Sequence, residues 1–208
     1  FRIFSNRYVV LAAAFICIFL SEWLFNTGFV KTDYDKLAQT TKNVLQEKEK
    51  LSEEISRGIE EILLDENEKD KFKKTNLLFK SLGSDNPVSF YIFYNNVPVA
   101  WSDNSTPCDS CFSGRFKSGS VIQLENGWYK LNKKQLKNGY LIASLILIRH
   151  EYQNRNKYLV NAFDSEFNLP DEANLVIDEK ADGIKIDNEN GEYLFTIQLT
   201  DKSEKSKK

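Results

Sequence analysis

Trp101-Ser102-Asp103-Asn104 sets an aromatic ring and three hydrogen-bonding side chains at the end of a strand-like run. Groups of these types either close an Asx turn or line the rim of a ligand site. Arg149, Tyr152, Asn156 and Tyr158 form a second polar and aromatic group that reads either as the ring of a small pocket or as solvated surface. Cys108-Asp109-Ser110-Cys111 is a C-x-x-C run in a polar loop behind Pro107. A thioredoxin-like motif would open a helix in a βαβ setting, and a zinc site would need two further ligands. A disulfide stapling the loop is the reading preferred here, with free thiols, redox sensing and metal binding as its alternatives. His150 is the single histidine, so no Ser-His-Asp or Cys-His pair can draw on another, and it reads as a surface residue at a strand end. No glycine-rich phosphate loop is present, and no glycosidase pair stands out among the scattered carboxylates. These residues predict binding rather than catalysis, with no metal and no cofactor.

The elements that would hold these groups follow from periodicity and turn chemistry. Thr32 to about Asp65 lacks proline and repeats Leu37, Val44 and Leu51 every seventh residue, with Ile55, Ile59, Ile62 and Leu63 continuing an apolar stripe. This predicts a long helix that lies on its own domain or pairs weakly with a second copy. A second helix is expected over Glu68 to Leu82, closed by Gly83. From Val88 onward the period becomes strand-like. Val88 to Tyr94 and Val97 to Trp101 flank Asn95-Asn96, and Ser120 to Leu124 and Trp128 to Leu131 flank Glu125-Asn126-Gly127, so two hairpins are expected. Gly139 to Arg149 suits a central strand, and His150 to Phe167 a short helix ended by Pro170. Ala173 to Ile177, Ile184 to Ile186 and Tyr193 to Leu199 read as further strands, with Asn190-Gly191 as a turn. The whole is an α+β chain, a helix laid along a mostly antiparallel sheet of about five strands, compatible with a PAS-like or Cache-like sensor fold.

At the N-terminus, Tyr8 to Leu20 is uncharged, and extended through Val30 it becomes long enough to span a bilayer if Glu22 sits near an interface. The bulky, aromatic Ser21 to Val30 offers no small-x-small cleavage site. An uncleaved transmembrane anchor is therefore expected, ahead of a cleaved signal peptide or a buried core helix. The organisation that results is an anchor over 1–30, a helical region over 31–83, a sensor-like sheet domain over 84–200 and a polar linker over 201–208, whose four lysines carry no apolar neighbour. Residues beyond about 30 would lie outside the inner membrane. The 208 residues carry a formal charge of −2, which provides no general attraction for nucleic acid. A chain that starts at Phe1 and holds no methionine reads as a piece of a longer protein.

Three ordered stretches, Ala100 to Asn104 (AWSDN), Asn126 to Tyr129 (NGWY) and Tyr140 to Phe163 (YLIASLILIRHEYQNRNKYLVNAF), followed by Phe167-Asn168-Leu169-Pro170, resemble the extracytoplasmic sensing region of membrane-bound sensor histidine kinases. The resemblance covers roughly Tyr8 to Leu199. It implies that a small-molecule or protein signal, or a partner's contact, shifts the packing of the long helix within a homodimer and so reaches a cytoplasmic kinase. The kinase's phosphoacceptor histidine and ATP-binding boxes are not in this stretch, and the Cys108/Cys111 pair is not part of the family pattern. The sensing region of another receptor, a membrane-anchored interaction domain and a thiol oxidoreductase are the competing expectations.

Overall fold

Asn95 and Asn96 both take positive φ, 50° and 65°, which asparagine tolerates better than other non-glycine residues and which fits the tight turns that join antiparallel strands. They connect β1 (Val88–Tyr94) to β2 (Val97–Trp101). A second hairpin joins β3 (Val121–Leu124) to β4 (Gly127–Gln135), and β5 (Tyr140–His150) runs through the middle. The strand order is β2-β1-β5-β4-β3, antiparallel throughout. The structure is a computed structural model that describes residues 14–21, 30–65, 69–83, 86–107, 116–154 and 156–199. The chain divides into two compact units, Phe1–Thr40 and Thr41–Lys208, and the sheet belongs to the second.

β5 is buried on both faces, as a central strand of nearly continuous apolar residues should be. Ala143 and Leu145 on one face join Tyr91, Phe93, Ile122, Tyr129 and Leu131 in a core cluster. Ile142, Ser144, Ile146 and Ile148 occupy the other face, where the helices pack. Helix α1 is described over residues 14–21, α2 is Val30–Leu64 and α3 is Lys71–Leu82. Ser52 of α2 donates to the Ser144 hydroxyl at 2.7 Å, Glu49 pairs with Lys130 and Glu60 with Lys134, while the ring of Phe79 on α3 stacks on Phe90 at 6.3 Å. The buried stripe of α2 is Thr41, Leu45, Lys48, Ser52, Ile55, Ile59 and Leu63, spaced three and four apart. The expected heptad over Leu37, Val44 and Leu51 falls on a different, partly exposed side.

The remaining strands do not extend this sheet. β6 (Ala173–Val176), β7 (Ile184–Asp187) and β8 (Tyr193–Leu199) form a separate antiparallel sheet in the order β6-β8-β7, closed over Leu175, Ile186, Phe195 and Ile197. The five-stranded sheet expected from the sequence is therefore accompanied by a second sheet of three strands within the same compact unit. Between them, among the described residues of 151–172, the helical content is a single turn of 3-10 helix, Ser165–Phe167, in place of the expected short helix.

The transmembrane part of the expected fold is corrected too. Among the described residues no helix is long and apolar enough to cross a membrane. The eight described residues of α1 rise only about 12 Å against a hydrocarbon core of roughly 30 Å, and α2 is too rich in charge to span one. The anchor expected over Tyr8 to Val30, and with it the inner-membrane placement, therefore finds no support, although residues 8–13 and 22–29 of that stretch lie outside the described residues. The 201–208 linker also lies outside them.

Candidate functional site

The end of the sheet where β1 begins and β5 finishes opens into a cavity of about 820 Å³. Ser89, Tyr129 and Leu147 contribute from the strands, residues 102–106 and Asn126 from loops, Phe79 and Leu82 from α3, and His150, Tyr152, Leu159 and Asp164 from the far side. Leu147 and His150 are three residues apart, and strict alternation along a strand would send them to opposite faces. The β4–β5 register slips here: Trp128 pairs with Arg149 but Tyr129 with Leu147, so Ile148 is the extra residue of a bulge that resets the alternation. Gly127 serves the same corner. It pairs with His150, and a Cβ at Gly127 would run into the carbonyl oxygen of Arg149.

Asp103 organises one wall. Its Oδ1 accepts the backbone N–H of Ser105 at 2.8 Å, closing an Asx turn, and its Oδ2 accepts the hydroxyls of Ser105 at 2.6 Å, Thr106 at 3.0 Å and Ser89 at 3.3 Å. The turn is fastened to the sheet by Tyr91, whose hydroxyl donates to the Thr106 carbonyl at 2.6 Å, and by Ser102, whose Oγ accepts the Phe90 N–H at 2.8 Å. Asn126 ties it to the neighbouring hairpin, donating through Nδ2 to the Ser105 carbonyl at 2.8 Å while its Oδ1 accepts the Tyr129 hydroxyl at 3.0 Å. Burial alone would raise the Asp103 carboxyl, but the hydrogen bonds from Ser105, Thr106 and Ser89 outweigh it and hold the carboxyl below its ordinary value. The Tyr129 hydroxyl is pushed up to about 12, chiefly by burial.

The opposite wall is built on His150. Its Nδ1 lies 3.0 Å from the Tyr152 hydroxyl, and the two rings stack at 5.6 Å with planes 11° apart. Burial favours the neutral ring and lowers the imidazole's pKa, outweighing the attraction of Asp164 for the protonated form. Asp164 in turn accepts Lys48 of α2 at 3.0 Å. Lys48 is almost fully buried, also pairs with Glu166 at 2.8 Å, and sits over the ring of Phe167. One carboxylate thus both lines the cavity and holds the long helix.

Of the two groups singled out as possible ligand sites, Ser102, Asp103, Asn104 and Tyr152 line this cavity. Trp101 instead faces a separate shallow depression beside Asn76, Lys80 and Gly83, with its indole N–H on the Asn104 side-chain oxygen. Arg149 is buried beside the site, pairing with Glu151 at 3.0 Å and lying over Phe163. Asn156 caps its own loop by accepting the N–H groups of Tyr158 and Leu159, and Tyr158 is exposed. Cys108 and Cys111 lie outside the described residues. Ser89, Thr106, Asn126, Tyr129 and His150 were not anticipated as lining residues. Only the Asn-Gly hairpin signal marked the position of Asn126, and it marked a turn. No family model, curated protein or solved structure matches the chain.

Proposed function

We propose that this chain is a signal-sensing region that binds a small molecule in the cavity beside Asp103 and His150 and transmits occupancy to α2, in the manner of the sensing region of a two-component sensor kinase. The observation that supports the reading most is the double role of Asp164, which lines the cavity and accepts the buried ammonium of Lys48 on α2. A ligand that engages the cavity wall changes the partners or position of Asp164, and Lys48 cannot remain buried without them. Occupancy then biases the packing of α2 by whatever difference in affinity the ligand has for the two arrangements. The cavity's size also lies within the range of small-molecule sites, roughly 300–1,000 Å³.

Binding can be located by two-dimensional amide NMR of the purified chain titrated with a library of small polar metabolites. The reading expects shifts that cluster at Ser89, residues 102–106, Tyr129 and residues 150–152 and leave the far edge at Val97 unmoved. Shifts confined to other surfaces would refute it.

A further inference from the structure

The cavity is charged in one sense. Among the described residues that line it, Asp103 and Asp164 are the only side chains of fixed charge, and none is a lysine or arginine. Lys48 stands behind Asp164, but it serves Glu166 as well, so that three-residue cluster keeps one net negative charge. Arg149, beside the site, is engaged with Glu151. Three of the four donors described at Asp103 crowd onto Oδ2, which leaves Oδ1 the less occupied oxygen of the carboxylate. Its Oδ1 carries the Ser105 N–H among the bonds described. Tyr129 and the parallel His150–Tyr152 pair add aromatic faces, which attract cations. Phe79, Leu82, Leu147 and Leu159 supply an apolar side.

We propose, building on the ligand-binding reading above, that the ligand is a small organic cation, a protonated amine on an apolar or aromatic body, with its ammonium at Asp103 and its body against the Phe79, Leu82 and Leu159 side. An anionic ligand of the same shape would lose its water beside two carboxylates with no cation in return among the described lining residues, so it is rejected.

Calorimetric titration of the whole chain with three matched probes, phenethylamine, phenethyl alcohol and phenylacetate, tests this. The amine is expected to bind at least about tenfold more tightly than the carboxylate, with the alcohol between them. Asp103→Asn should remove most of the amine's advantage over the alcohol, and Val97→Ala, at the exposed far edge of the sheet, should leave it intact. Leu159→Lys, which adds a cation at the rim without touching the Asp103 turn, should weaken the amine and strengthen phenylacetate. Phenylacetate binding as well as the amine, with Tyr129 and Tyr152 amide shifts, would overturn the charge assignment while keeping the cavity as a ligand site. Absence of binding by all three probes at millimolar concentration would overturn both readings.

Discussion

Asp103 accepts four hydrogen bonds from three residues, and while Ser105 and Thr106 belong to its own turn, Ser89 is brought to it from β1 by the pairing of the strands. Asp103→Ala would strand these donors and is expected to cost about 1–3 kcal/mol in urea denaturation. Asp103→Asn should recover part of that, because an amide oxygen can still accept the Ser105 N–H. The site also titrates. The folded-state pKa of His150 lies below its ordinary 6.5, so the unfolded chain takes up a proton that the folded chain resists. Stability from this group is complete above pH 6.5 and falls as the pH drops from there toward the folded-state pKa. Asp103, lowered from 3.8, adds a second acid limb that sets in below that value. Denaturation midpoints measured across this range should show both limbs, and His150→Gln should remove the upper one alone. At this scale the sequence revealed residue types but not their meetings. Trp101 to Asn104 announced a polar rim, whereas His150 read as an exposed strand end because the bulge that turns it into the cavity depends on the register with β4, a pairing that spans some twenty residues.

The helices and hairpins were legible wherever a local rule sufficed. The β-branched and aromatic runs of β1 and β2 around Asn95-Asn96 fold as their turn chemistry requires, and the long proline-free stretch is the helix α2. The seven-residue repeat misled, because the face that α2 buries is partly polar: Thr41, Lys48 and Ser52 are among its most buried residues, and a hydrophobic count passes over them. The split into two sheets was equally hidden, since strand pairing is non-local and β6 to β8 look like any other short strands. Gly127 offers a test of the corner that these elements share. Its role is close approach to Arg149, not a left-handed turn, so Gly127→Ala should cost about 1–3 kcal/mol through displaced backbone and should perturb the β3–β4 hairpin and the His150 environment together. An alanine variant as stable as the parent, with unchanged His150 resonances, would contradict that geometry.

In the proposed signalling route, the cavity and α2 act as one energetic unit through Lys48, Asp164 and Glu166. Lys48→Met keeps the length and apolar stem of the side chain but leaves the carboxylates without their cation, and it is expected to lower stability by about 3 kcal/mol, less if Glu166 turns outward to water. It should also uncouple the parts: ligand still enters the cavity, and the helix no longer responds. Nothing in the fold class alone makes this prediction, because a helix laid on an antiparallel sheet is equally suited to passive packing. Hydrogen–deuterium exchange over residues 41–56 of α2, measured with and without saturating phenethylamine or whichever metabolite the NMR titration identifies, separates the two cases. Ligand is expected to change the protection of this segment by at least about fivefold in the parent chain and to leave it unchanged in Lys48→Met while binding persists. Equal exchange in the free and liganded parent chain would contradict this coupling.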